Sequence, residues 1–301
     1  MKLQRATLLG ISGLDDITCD FNDPVTGTPR RVSVITGPPA SGKTRVLEAL
    51  FAAKEVMAPY GAPVSGGSWI RSDAAKVELL FELDAEEQRS GGLGPTVEAE
   101  ALFDPEACQF DADDALVVLL ERYEHGGKHG KFDYFPANRS IPPMSVAMGS
   151  SAIELQPWRV SPSARKFGFV PRYLANLAND AQAAARFAQK LAALTSSIRY
   201  EPGAGDPLEH FVTHRNARVG TAELSTSEAN AVIFAASATL IGYDRSIVFI
   251  DRPELGVPES RIVAWIEQLA ATLGDAQLIV ASDSPALVAA ASGAVTLGVA
   301  S

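Results

Sequence analysis

Hydrophobic and polar positions change period several times along the chain, and each change marks an element. Ala6-Thr7-Leu8-Leu9 and Ile17-Thr18-Cys19-Asp20-Phe21 are short alternating runs, which predict two strands of a small antiparallel layer between Leu3 and Phe21. A polar turn carrying Gly and Pro, Asn22 to Pro29, leads into Arg31-Val32-Ser33-Val34-Ile35-Thr36, a β-branched run that reads as a buried strand. Further on, Leu47, Leu50 and Phe51 fall at i, i+3 and i+4, the apolar stripe of an amphipathic helix. Tyr60 to Ser68, rich in Gly, Pro and Ser, reads as a loop. Lys76–Leu83 and Thr96–Phe103 read as strands around a flexible Ser90-Gly91-Gly92-Leu93-Gly94, and Phe132–Phe135 is a short strand stopped by Pro136.

From Pro171 to Leu194 the pattern is long and Ala/Leu-rich without an internal breaker, so one helical lobe is expected there. Helix and strand then alternate: a helix at Ser227–Leu240, a strand at Ile247–Ile250, a helix at Ser260–Leu273 and a strand at Gln277–Ala281. A short helix from Pro285 and a last strand near Ala294–Leu297 close the chain. Alternation of this kind predicts an α/β fold around a parallel sheet. The expected organisation is a single domain over 1–301. Its parts are an N-terminal half at 1–145, a helical lobe at 146–222 and a second half at 223–301.

Composition narrows this reading only a little. A chain of 301 residues with 47% hydrophobic and 21% charged residues is ordinary for a globular protein. The formal net charge of −10 argues against a surface built mainly to grip nucleic acid, though not against a local basic groove. Cys19 and Cys108 lack metal-like spacing and are expected as reduced thiols. No stretch reaches the ~20 apolar residues of a membrane helix, and Asp15-Asp16 ends the apolar run behind the first residues, unlike a signal peptide. A cytoplasmic protein with no membrane span is expected.

Chemistry enters at Gly37-Pro38-Pro39-Ala40-Ser41-Gly42-Lys43-Thr44, a full match to the phosphate-binding loop GxxxxGK[ST], Walker A. It stands between a predicted strand and a predicted helix, the context that the motif requires. Glycines let the backbone approach phosphates and the helix N-terminus adds a positive dipole end. Lys43 is placed to reach the β/γ-phosphates and Thr44 to bind Mg²⁺. Gly37, Ser41, Gly42, Lys43, Thr44 and Arg45 are therefore candidate ATP contacts. Ile247-Val248-Phe249-Ile250-Asp251 has the Walker B pattern, in which a buried strand delivers a carboxylate to the Mg²⁺ shell. Glu223-Leu224-Ser225-Thr226-Ser227-Glu228 opens a helix, with Ser225 and Ser227 as N-cap candidates.

These stretches together resemble an ABC-type ATPase head of the soluble branch that contains RecF, the SMC proteins and the OLD-family nucleases. Leu224-Ser225-Thr226-Ser227-Glu228 resembles the LSxGE signature, Asp251-Arg252-Pro253-Glu254 the DEPE end of Walker B, and Ser282-Asp283-Ser284-Pro285 the T-H-S-P strand end. Phe135-Pro136-Ala137-Asn138-Arg139 also resembles a strand-end motif with an arginine in these heads. The Gly-Pro-Pro opening of the loop is reminiscent of AAA+ proteins. Their Walker B, however, falls where only Ala101-Leu102-Phe103-Asp104 stands, with too short an apolar run. No NKxD-type motif points to a GTPase. The resemblance implies a P-loop ABC-type nucleotide-binding fold with an antiparallel β layer and an inserted helical lobe. It also implies ATP and Mg²⁺ as cofactors and a site shared head-to-head with a second copy or a partner protein. Nucleic acid is neither required nor excluded, and DNA repair or phage defence is the context it suggests.

The chain departs from that pattern where hydrolysis would be run. Arg252 stands at the glutamate that polarises the attacking water, and a guanidinium accepts no proton. Asp283 stands at the switch histidine, and Ser227 at the signature glycine. Two readings stay open: a slow or partner-completed ATPase in which Glu254 or Asp283 serves as base, and a nucleotide-binding regulatory protein without hydrolysis. Other signals are discounted. His125 and His129 read as a glycine-flanked hairpin tip, His210 and His214 lack the HExxH pattern, and Asp111-Ala112-Asp113-Asp114 reads as a capped helix start rather than a calcium loop. Arg215 and Arg218 read as a solvated face.

Overall fold

The computed structural model describes residues 1–122, 131–143, 149, 151–201 and 210–298. Along the N-terminal half run β1 (Lys2–Leu9), β2 (Ile17–Asp20), β3 (Val32–Thr36), α1 (Lys43–Met57), β4 (Ala75–Glu82), α2 (Ala85–Gly91), β5 (Thr96–Phe103), β6 (Gln109–Ala112), α3 (Asp114–Glu121) and β7 (Phe132–Phe135). The middle carries α4 (Ala152–Leu155), α5 (Phe169–Leu177), α6 (Ala181–Leu194), β8 (Ile198–Tyr200), β9 (Phe211–Thr213) and β10 (Arg218–Val219). The remainder is α7 (Thr226–Leu240), β11 (Ile247–Asp251), α8 (Ile262–Thr272), β12 (Gln277–Ala281), α9 (Pro285–Ala290) and β13 (Val295–Thr296).

Two five-stranded sheets result. One is antiparallel, in the order β2-β1-β4-β5-β6, and β4 alternates buried and half-buried positions, as expected of a sheet with one face on the core. The other is parallel, in the order β13-β3-β12-β11-β7, and β7, β11 and β12 are buried at every position. Such continuous apolar runs are what a parallel sheet covered on both faces needs. Gln277 fastens one sheet to the other: its Oε1 accepts from Leu3 N at 2.7 Å and its Nε2 donates to Leu3 O at 2.8 Å. The antiparallel layer is larger than the two strands expected before the glycine loop, because β4, β5 and β6 join it from beyond α1.

Helix α1 lies in contact with strands of both sheets. Leu47, Leu50 and Phe51 are buried as expected, but so are Val46, Ala49, Ala52, Ala53 and Met57, so the helix is apolar nearly all round rather than on one stripe. Phe51 packs on Tyr134 at 4.8 Å and on Phe249 at 6.2 Å between ring centroids, and Phe132 continues the row to Phe81 at 6.3 Å. These rings fill the space between α1 and the two sheets.

Three expectations need correction. The long helix at 171–194 is two helices, α5 and α6, because Asp180 caps α6 by accepting from Gln182 N and Ala183 N at 3.1 and 2.9 Å. Ser90–Gly94 is no simple flexible link: α2 occupies Ala85–Gly91, held by a capping box of Asp84 and Glu87. The middle segment is not purely helical, since β8, β9 and β10 form a small antiparallel sheet there. In the acidic run 111–114, Asp113 caps α3, whereas Asp111 and Ala112 end β6. The boundary expected at 145/146 and the pair His125 and His129 lie outside the described residues. Among the described residues no helix is long and apolar enough to cross a membrane.

Lys54 and Lys166 are wholly buried, as is Lys131 at the start of β7. Lys166 faces Asp133 at 3.3 Å beside Arg159, which lies 3.4 Å from the same carboxylate, and Tyr243 Oη donates to Asp133 Oδ2 at 2.5 Å. Lys54 pairs with Glu55 at 2.9 Å under the Tyr60 ring. Burial pulls both lysines down to about 7, against the opposing pull of their carboxylates. For Lys166 the charge count agrees, because one carboxylate shared with an arginine leaves little to hold a second cation.

The unfolded chain keeps protons on both lysines up to their ordinary pKa, whereas the folded chain releases them near pH 7. Above pH 7 the unfolded state therefore binds more protons, and stability rises with pH. Cys19, pushed up to about 12 by burial, opposes this only above the ordinary thiol pKa of 9.0, one group against two. Urea denaturation at pH 7.0 and pH 8.5 should show higher stability at the higher pH, by about 1–3 kcal/mol. A flat or falling profile would mean that both lysines stay charged.

Candidate functional site

The parallel sheet determines where the chemistry collects. In register, Ile35 of β3 pairs with Ala281 of β12, and Ala281 pairs with Asp251 of β11. The three strands thus end side by side, and the chain leaving each one stands at the same edge. From β3 it enters the glycine loop, where Gly37, Ala40 and Gly42 take φ values of +152°, +63° and +88°. A Cβ at Gly42 would lie 2.2 Å from Leu14 Cδ2, and one at Gly37 would lie 2.7 Å from Leu297 O, so both positions exclude a side chain. Ser41 is buried, and its hydroxyl has no hydrogen-bond partner.

Lys43 opens α1 and curls back over the loop. Its Nζ donates to Gly37 O at 2.8 Å and Pro38 O at 2.9 Å, and pairs with Asp283 Oδ1 at 2.8 Å. Its three donors thus meet three acceptors, one of them charged. Thr44 Oγ1 donates to Asp251 Oδ2 at 2.9 Å, which joins the end of the glycine loop to the end of β11. Burial pushes the Asp251 carboxyl above the ordinary carboxylate range, opposed by the Thr44 hydroxyl and by Arg139.

Arg139 lies buried beneath this corner. Its Nη1 donates to Asp251 O at 2.6 Å and Pro136 O at 2.8 Å, its Nη2 to Arg252 O at 2.9 Å and its Nε to Asn230 Oδ1 at 3.0 Å. Burial pulls its guanidinium down to about 10, which leaves it charged at neutral pH. The clamp holds an unusual turn, because Arg252 has φ +49°, a left-handed conformation that costs a non-glycine residue about 1 kcal/mol or more. The Arg252 side chain is half exposed and lies 3.8 Å from Glu254.

Glu254 has both oxygens engaged: one accepts from Ser282 Oγ at 2.8 Å and the other from Asp283 N at 3.3 Å. It therefore fixes the backbone that carries Asp283. The structure brings Lys43, Thr44, Asp251, Glu254 and Asp283 together through these contacts.

Ser225 and Ser227 stand at the exposed start of α7. Ser225 caps the helix with Glu228, and Ser227 N packs where a Cβ on Gly256 would come within 3.0 Å. Among the described residues no hydrogen bond joins either serine to the glycine loop. Arg45 turns away as well: its Nε donates to Ser12 O at 3.2 Å, it bonds Ser68 O, and its guanidinium lies 3.9 Å over the Trp69 ring.

Sequence reasoning passed over Glu48. Burial raises its carboxyl above the usual range, Arg45 opposes that, and the Asp251 charge adds to it. The available signal was spacing, since Glu48 is four residues after Thr44 and shares its helix face.

The residues present suit a nucleotide and its metal. The glycine cradle has no room for side chains, an unpartnered buried hydroxyl faces the loop, and Thr44 with Asp251 offers the hard oxygen donors that Mg²⁺ takes. The site is nonetheless open. A cleft of about 150 Å³ beside Ser41 is lined by Leu14, Asp15, Asp16, Ile17 and Leu297, while a groove of about 650 Å³ runs elsewhere, between Asn22, Arg30 and Val295.

No protein-family model matches this chain, and no curated protein sequence does. Solved structures do match. An SMC head bound to the C-winged helix domain of ScpA is 12% identical, with a TM-score of 0.60 over 96% of this chain and 92% of that one. The SMC head domain from Thermotoga maritima is 12% identical, with a TM-score of 0.50 over 99% and 94%. The Pyrococcus furiosus Smc head with an extended coiled coil, bound to the C-terminal domain of ScpA, is 11% identical, with a TM-score of 0.56 over 96% and 91%. At such identities the likeness concerns the fold: this chain has the mixed α/β architecture of an SMC head domain.

Arg139→Ala removes a donor from four acceptors, of which Arg252 O keeps another, from Leu255 N, and should cost about 3 kcal/mol of stability in urea denaturation. Arg139→Lys, which cannot reach all four, should fall between that variant and the parent. A cost below about 0.5 kcal/mol for the alanine variant would show that the turn at Arg252 holds itself.

Proposed function

We propose that the chain is an ATP-binding ABC-type head that associates with a second copy or a partner protein in an ATP-dependent way, with slow or partner-completed hydrolysis. One observation carries the reading: the 2.9 Å bond between Thr44 Oγ1 and Asp251 Oδ2, formed beside a glycine loop that also holds Lys43. It joins the glycine loop to the end of β11, 207 residues apart in sequence, which supports a site shared between them.

In this reading Gly37, Ser41, Gly42 and Lys43 hold the phosphates, and Thr44 and Asp251 hold the metal. Bound Mg²⁺ supplies charge neutralisation at the phosphates. Arg139 keeps the Asp251 carboxylate on the correct side of its turn. Ser225 and Ser227, exposed at the start of α7, serve a second molecule's site in this reading. The partner-bound SMC heads among the structural neighbours support an assembling role.

Arg252 favours a second reading, a nucleotide-binding regulatory protein without hydrolysis, because it removes the proton acceptor from the usual position. Glu254, with both oxygens engaged, is better suited to positioning than to proton transfer. General-base assistance is worth about 10²–10⁴-fold, so its loss leaves slow turnover rather than none.

Calorimetric titration with Mg·ATP, alongside phosphate release measured across protein concentrations, tests the proposal. Binding should weaken about ten- to a hundredfold in Lys43→Ala. Turnover per chain should be slow, rise with protein concentration and vanish in the same variant. Binding without any release would select the regulatory reading, and failure to bind would defeat both.

A further inference from the structure

The feature that the proposed function leaves unused is the carboxylate on Lys43. We infer that Asp283 is a specificity-determining residue that biases this site toward nucleoside diphosphate over triphosphate, by holding a fixed negative charge where the terminal phosphate must enter. The inference rests on the nucleotide-binding reading and adds the ligand preference of that same site.

The geometry is local and specific. Lys43 Nζ has three acceptors, of which Gly37 O and Pro38 O are neutral and belong to the loop itself. Asp283 Oδ1, at 2.8 Å, is the charged one, and it comes from a different strand end. Asp283 does not drift freely into this position. Its backbone N–H donates to Glu254 Oε1 at 3.3 Å, while Glu254 Oε2 accepts from the neighbouring Ser282 Oγ at 2.8 Å. Ser282 N in turn donates to Ile35 O at 3.0 Å, which ties this turn to β3 just ahead of the glycine loop. The carboxylate is thus carried on a braced turn and aimed at the loop lysine.

Two acceptors on one ammonium lie within about 5–6 Å of each other. Any phosphate oxygen that takes up Lys43 therefore comes this close to the Asp283 carboxylate, or displaces it. A diphosphate offers its terminal group to the loop. A triphosphate adds one further phosphoryl group and one more negative charge, and the acceptor position on Lys43 that the loop itself does not fill is held by Asp283. Repulsion between like charges at that range, half exposed to water, is modest but selective, because it acts on the added group far more than on the rest of the nucleotide. Asp283 also neutralises the lysine in the free protein, so that binding begins by breaking an ion pair.

The test is the ratio of affinities, measured by calorimetric titration with Mg·ADP and with Mg·ATP on the full chain. Asp283→Asn keeps the shape and removes the charge, and should raise the affinity for ATP relative to ADP about tenfold. Asp283→Glu keeps the charge and should leave the ratio near that of the parent chain. Thermal denaturation of each variant confirms that it is folded, and Asp283→Ser provides a second neutral variant if the asparagine chain does not fold. An unchanged ATP-to-ADP ratio in the neutral variants overturns the inference while leaving nucleotide binding intact. Absence of binding by the parent and by every variant overturns the nucleotide reading and the inference with it.

Discussion

The register of the parallel sheet is the constraint on which the site depends. Ile35, Ala281 and Asp251 stand in one row across three strands, and the hydrogen bonds continue past the strand ends, from Ser282 N to Ile35 O and from Arg252 N to Ala281 O. Side chains in a strand alternate with period two, so a slip of one residue would turn Asp251 away from Thr44 and move Asp283 off Lys43. Such a slip is opposed by burial. Every residue of β11 and β12 is buried, and both faces of these strands would have to repack at once. Placement of a few polar groups is thus enforced by many apolar ones.

Buried polar side chains then convert that register into orientation. Arg139 spends its donors on four acceptors beneath the Asp251–Arg252 turn, and Gln277 spends both ends of its amide on Leu3. Neither arrangement is a strong source of net stability, because each group gives up water to enter the core. Their effect is on uniqueness, since any other geometry strands a desolvated donor or carbonyl. The turn at Arg252 illustrates this, for a left-handed backbone persists where its amide and carbonyl are both committed to partners.

Much of this was legible in the sequence because the signals were local. A glycine loop between a β-branched strand and an apolar helix, and four apolar residues ending in an aspartate, each report on a few neighbouring positions. The parallel sheet followed from alternation, and its strand limits fell within a residue or two. What escaped depended on distant contacts. Burial of α1 all round requires two sheets that the pattern of α1 does not mention. The break at Asp180 turned on a single capping side chain that composition hid among alanines. The Lys43–Asp283 pair joins residues from different strand ends, and the Glu48 carboxyl is raised first by burial and then by the charge of Asp251, which reaches it from another strand.

Openness is the last property that the geometry imposes. The Asp283 side chain is 43% exposed and Arg252 49%, so the Walker B and β12 ends of the site meet solvent. A phosphoryl-transfer site that admits bulk water loses the electrostatic advantage of a dry, preorganised pocket. On the proposed reading, closure comes from outside, from a surface that brings its own helix start against the loop. The same openness makes Asp283 consequential. On the proposed reading, the charge that a second surface meets at this loop is set by the bound nucleotide and by Asp283 together. On that reading, a terminal phosphate that displaces the carboxylate from Lys43 changes both terms at once, and the surface offered to a partner differs between the two states.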